Sequence, residues 1–171
     1  MPERTIRLFG LDVPDAGPMF LAILALHVVA GIFAVMAATL AASTSKRAGS
    51  HPRFGRGYFR ALAVVFGSSV VLGVIRWPHD THLVVLGAVA FVCGVVGVRA
   101  RRRKPTSALE AHIVAMGTSF VALLTAFYVD NGPQLPLWNR LPPIALWILP
   151  TLIGAPIIAI AVWRHRKVRR D

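Results

Sequence analysis

Six histidines, one cysteine and seven carboxylates are the side chains of this 171-residue chain best able to hold a metal ion or move a proton. Histidine comes first, because a neutral imidazole ligates metals and haem and titrates near neutral pH. His27 lies about eight residues inside a long apolar stretch, and His112 lies one to two turns inside another. Ionisable groups in such surroundings are costly and are functional candidates by default. The chemistry on offer is haem ligation by His27 and His112, a transition metal held by His27, His51 and His112, or a proton relay. The structural alternative is an imidazole satisfied by a carbonyl or hydroxyl of a neighbouring helix.

Other polar groups have plainer readings. Ser107-Ala-Leu-Glu110 fits a capping box, with Glu110 reaching back to the start of its helix. Ser119 falls seven residues after His112, on the same helical face. Asp130 and Asn131 end an apolar stretch and are placed to satisfy its last carbonyls. His79 and His82, with Asp80 between them, read as an exposed turn, and His165 as a solvated residue of a basic tail. Cys93 is the sole cysteine, so an internal disulfide and a cysteine metal cluster are both excluded.

The elements that position these groups follow from composition. Hydrophobic residues make up 56% of the chain and charged residues 15%, against roughly 25% charged in soluble domains. Five apolar stretches, about 19–42, 59–77, 82–99, 107–129 and 143–163, are long enough to cross a hydrocarbon layer as helices. Each is continuous and not alternating, and lipid demands a backbone satisfied within the segment. The expected fold is an all-α integral membrane protein, a compact bundle of about five transmembrane helices. Residues 1–18 form a tail outside, 19–163 a single transmembrane domain and 164–171 a basic cytoplasmic tail.

Charge sets the orientation. Of the 19 Lys and Arg residues, 15 follow spans one, three and five, and five of the seven acids lie on the other side. The positive-inside rule then places the N-terminus outside and the C-terminus in the cytoplasm. A net charge of +12 is thereby explained as a basic face toward anionic lipid headgroups. Nucleic acid is not expected as a partner, because the cations are divided among three segments without a platform for stacking bases. Trp77, Trp138 and Trp163 fall near the expected interfaces.

Packing signals are small residues and prolines. Ala30, Ala34, Ala38 and Ala42 recur at four-residue spacing in span one, and Gly87, Ala90, Gly94 and Gly97 mark span three. Such stripes let helices approach closely. Pro150 and Pro156, around Gly154, are expected to kink or break span five. The segment His51-Pro-Arg-Phe-Gly-Arg-Gly-Tyr58 reads as a cytoplasmic loop, in which Gly55 and Gly57 permit tight turns that could carry His51 back toward His112. By depth, His27 belongs to the outer half of the membrane and His112 to the inner edge, a gap that haem partly bridges and zinc does not.

The chain resembles small predicted bacterial membrane proteins grouped as domain of unknown function 2306. The resemblance rests on His27 with Gly31, on His51, Gly55, Arg56 and Tyr58, and on His112-Ile-Val-Ala-Met116-Gly117 leading to Leu124-Thr-Ala-Phe127. Trp147, Pro150, Gly154 and Pro156 complete it, over roughly residues 20–160. Pro52, directly after His51, departs from the pattern. The resemblance implies a helical fold in a bacterial cytoplasmic (inner) membrane and recurring His27, His51 and His112, with Arg56 and Tyr58 beside them. It implies no reaction.

Three function classes are compatible with these residues. The first is a histidine-lined haem or transition-metal site serving electron transfer. The second is a small transporter or transport accessory, suggested by the prolines of span five and by Ser68, Ser69, Thr118, Ser119 and Thr125. The third is a structural subunit of a larger membrane complex or a homo-oligomer. A hydrolase ranks last, since no nucleophile stands in a recognisable arrangement.

Overall fold

In a computed structural model of the chain, residues 5–8, 11–44, 49–102 and 107–168 are described. Five helices dominate: α1 (Pro18–Ser43), α2 (Ser50–Ile75), α3 (Thr81–Arg101), α4 (Ser107–Asn131) and α5 (Pro143–Val168). All five are long and apolar enough to cross a membrane. A short antiparallel pair, β1 (Thr5–Leu8) and β2 (Leu11–Pro14), precedes them, with Arg7 in register opposite Asp12. The N-terminal tail expected from the sequence thus contains a hairpin. The chain divides into two compact units, Met1–Val85 and Leu86–Asp171.

In the first unit, α1 begins where Gly17 takes φ 98°, a conformation that favours glycine, and Pro18 supplies a ready-made first helical residue. Asp15 Oδ1 accepts from the Gly17 N–H at 3.0 Å and fixes this entry. The α1 face that is buried carries Phe20, Ala30, Ala34 and Ala37, while Ala38 is half-buried and Ala42 exposed. The expected four-residue alanine seam is therefore corrected to a mixed spacing. Steps of four drift around a helix of 3.6 residues per turn, whereas alternating fours and threes hold one face. Opposite them α2 buries Tyr58, Ala61, Leu62, Val65, Ser68 and Leu72.

α2 starts at Ser50, so the segment from His51 to Tyr58 is helix and not the loop expected from its glycines. Arg53, Arg56 and Arg60 are exposed and Tyr58 is buried, which is the pattern of an amphipathic helix. Pro52 is tolerated because a first-turn residue has no intrahelical acceptor for an N–H. An Arg76–Asp80 ion pair at 2.9 Å, four residues apart, closes the turn into α3.

In the second unit, α3 buries Ala90, Gly94, Gly97 and Ala100. α4 packs antiparallel on α5. A Cβ on Gly117 would meet Ile158, and a Cβ on Gly154 would meet Val121. Of the kink or break expected at Pro150 and Pro156, the break is absent, since α5 runs continuously through both. A break facing lipid would strand several polar groups, whereas a proline inside a continuous helix strands one carbonyl. The α4–α5 connection carries two 3-10 turns, Gly132–Gln134 and Trp138–Arg140. There the Trp138 ring lies 4.2 Å from that of Tyr128.

Candidate functional site

Histidine is again the starting point, and in His27, His51 and His112 one ring nitrogen is bonded to a neighbour. His27 of α1 places Nδ1 2.9 Å from Ser68 Oγ of α2. The Ser68 hydroxyl lies 2.7 Å from the Val64 carbonyl of its own helix and 3.0 Å from that of Val65. A hydroxyl has one proton. With that proton given to these carbonyls, the oxygen is left to accept, and His27 Nδ1–H is the donor.

His51, in the first turn of α2, has Nδ1 2.8 Å from the Ala41 carbonyl of α1. That carbonyl belongs to the last turn of α1, where helices leave their acceptors unsatisfied. His51 therefore caps one helix from the start of the next. His112 of α4 has Nδ1 2.8 Å from the Gly97 carbonyl of α3. A carbonyl only accepts, so the proton must sit on Nδ1 in both His51 and His112. In the neutral ring the lone pair then belongs to Nε2 in all three histidines.

Within the first unit, His27 and His51 do not share one site. Ala41, which holds His51, lies fourteen residues along α1 from His27, roughly 21 Å at the helical rise. One ion cannot be bound by both. His112 belongs to the other unit. Among the described residues, no group of three or more His, Cys, Asp or Glu side chains is gathered to hold a metal ion.

The remaining candidates fall into local roles. Ser119 is fully buried, and its hydroxyl donates to the Ala90 carbonyl of α3 at 2.7 Å. Glu110 accepts from Arg166 of α5 through both carboxylate oxygens, at 3.0 and 2.6 Å. The side chain of Ser107, the other half of the expected capping box, lies outside the described residues. Asp130 is exposed, and Asn131 Nδ2 donates to its Oδ2 and to the Phe127 carbonyl, so of the expected pair Asn131 satisfies a carbonyl of α4, while the Asp130 carboxylate, which only accepts, does not. Arg56 is exposed while Tyr58 is 1% exposed, so this pair faces opposite sides of α2. Thr125 is buried and donates to the Val121 carbonyl of its own helix.

His165 departs from its expected place in a solvated tail. It stands in the last turn of α5, half-buried, and its buried Nε2 has no hydrogen-bond partner among the described residues. Two partners escaped the sequence reading. Ser68 was visible only as one of several hydroxyl residues, although it and His27 stand at matching distances from the α1–α2 connection. Arg166 is one of several cations in the basic tail and carries no mark of its own in the sequence.

The fold and these polar contacts define a helical protein with five spans long and apolar enough for a membrane, a multi-pass membrane protein by length and composition. No family model, curated protein or solved structure matches the chain.

Proposed function

We propose that this chain is a multi-pass protein of a bacterial cytoplasmic membrane that uses His27 and His112 as haem ligands in electron transfer. The observation that supports the reading is the shared orientation of the imidazoles. His27, His51 and His112 each engage Nδ1 with a hydroxyl or carbonyl oxygen, which assigns the lone pair to Nε2. Ligating histidines are characteristically held this way, with the second nitrogen donating to an oxygen that fixes ring and tautomer.

The gathering of ligands favours haem over a bare ion. A first-row ion held by protein alone needs three or four side chains together, and the described residues gather no such group. A porphyrin brings its own equatorial nitrogens and asks the protein for only one or two axial ligands. His51 fits better as the cap of α1 than as a ligand. The resemblance to domain of unknown function 2306, which includes both His27 and His112, belongs to this proposal as well.

The test is an optical spectrum and an iron assay on the full chain, purified in mild detergent from cells supplied with a haem precursor. A Soret band with stoichiometric iron is expected, with loss or a shift of the band in His27→Ala and in His112→Ala. A folded chain without haem, or a spectrum indifferent to both substitutions, overturns the reading.

A further inference from the structure

Along the α4–α5 pair runs an open groove of about 460 Å³, lined by Val114 and Thr118 of α4 and by Ala155, Ile158, Val162 and Arg166 of α5. Ala159 and Trp163 complete its wall. From Ala155 to Arg166 it extends eleven residues, roughly 16 Å along the helix. Its walls are apolar over most of that length and belong to a helix suited to a membrane span. Its end is charged. Arg166 and Lys167 stand in the last turn of α5, and Glu110 is the carboxylate paired with Arg166.

That end is basic in a wider sense. The His112–Gly97 and Ser119–Ala90 bonds make α3 antiparallel to α4. The start of α4 therefore lies at the same end of the unit as Arg99, Arg101 and Arg102, which close α3. Arg166 gives Nε and Nη2 to Glu110, and a guanidinium has five N–H donors in all. The pair thus orients Arg166 and leaves donors for a second anion. Lys167 Nζ lies 5.7 Å from the centre of the Trp163 ring, over the groove wall.

We propose that this groove is a binding site for one anionic phospholipid, its acyl chain along Thr118, Ala155, Ala159 and Val162 and its phosphate between Arg166 and Lys167. The two halves of the groove match the two halves of such a lipid, apolar and anionic, in the right order along the membrane normal. A second copy of the chain would bring an equally basic end against this one. A zwitterionic lipid would fill the apolar half equally well but would gain less at the cations, since each basic residue near an anionic surface favours association by about fivefold.

Trp163 makes the site observable. In a Trp77→Phe, Trp138→Phe, Trp147→Phe background, its fluorescence is quenched by lipids brominated on the acyl chain. The expected result is that brominated phosphatidylglycerol outcompetes brominated phosphatidylcholine by about fivefold or more. The preference should vanish in Arg166→Gln/Lys167→Gln, and both lipids should be displaced in Ala159→Leu, which fills the groove without touching a charge. Equal quenching by the two lipids, or a preference that survives Ala159→Leu, overturns the proposal. If the three-tryptophan background does not fold, native mass spectrometry of the otherwise unaltered chain decides. One phosphatidylglycerol retained, and lost in Ala159→Leu, supports the site. No retained lipid, or retention unaffected by that change, overturns it.

Discussion

His112 Nδ1 donates to the Gly97 carbonyl at 2.8 Å, and seven residues further along α4 Ser119 donates to Ala90, seven residues back along α3. The two bonds are rungs of one antiparallel seam. Buried Ala90, Gly94 and Gly97 are small enough to let the α4 side chains reach the α3 backbone. Ser119→Ala removes one rung without leaving the Ala90 carbonyl orphaned, because a helix-interior carbonyl keeps its own backbone donor. Interhelical bonds of this kind contribute about 0.6 kcal/mol on average and about 1.7 at most. A loss of that order is expected in reversible unfolding in detergent, and a loss of several kcal/mol would show that Ser119 does more than join the helices.

The Ser68–His27 bond separates a ligand from a clasp. If His27 Nε2 binds haem iron, Ser68→Ala removes the oxygen that fixes the ring while leaving the ligand in place. Substitutions of such supporting groups weaken metal binding by roughly 10–100-fold. The expected outcome is a haem affinity lowered within that range with the fold intact, read by haem titration and circular dichroism. Unchanged haem affinity would mean that the bond serves only to join α1 to α2.

The early start of α2 gives a test with a definite sign. Gly55 lies in a helix and a Cβ there would meet nothing within 4 Å. Gly55→Ala should therefore raise stability by roughly 0.5–1 kcal/mol, the usual penalty of a mid-helix glycine. In a tight turn with positive φ the same change would destabilise. Thermal unfolding of the two proteins decides between helix and loop.

Each part of the fold is legible in the sequence only as far as a physical rule marks it. Five uninterrupted apolar runs fixed the number of long helices, because only one backbone arrangement suits such a run in lipid. The start of α2 was hidden for the opposite reason. Its first residues are basic and glycine-rich, and a search for apolar length passes over them. The spacing of Arg53, Arg56 and Arg60, on one face with Tyr58 behind, was the helical signal. The alanine seam of α1 was legible as a stripe but misplaced by one residue at Ala37. The histidines stood out by type, yet their partners did not. Two of the three are backbone carbonyls, of Ala41 and Gly97, and a carbonyl leaves no mark on a sequence. Arg166 was hidden among neighbours of the same charge.

Orientation is open to direct measurement. With Cys93 replaced by alanine, a cysteine at Thr5 should react with a membrane-impermeant maleimide in intact cells. One at Arg102 should react only after lysis. The basic ends of α3 and α5 are the reason, since cations adjoining a span are retained in the cytoplasm. The reverse pattern would invert the whole topology and move the anionic-lipid site to the opposite leaflet.

Gly154 is a position where a single methyl group should be costly for its size. A Cβ built there overlaps a Val121 methyl and sits 3.6 Å from Val121 Cβ. Valine in a helix has one strongly preferred rotamer, so the methyl cannot swing aside cheaply. The helices would have to part, and with them the contact between α4 and the proline-bearing segment of α5. Overpacking of this sort costs about 1–3 kcal/mol. Gly67→Ala is the matched control, because its Cβ would meet nothing within 4 Å and should bring only the small helical gain of alanine. Destabilisation by Gly154→Ala with none by Gly67→Ala, measured in the same detergent, is the expected pair of results. If the two changes behave alike, α4 and α5 do not pack at the distance that Gly154 and Val121 define.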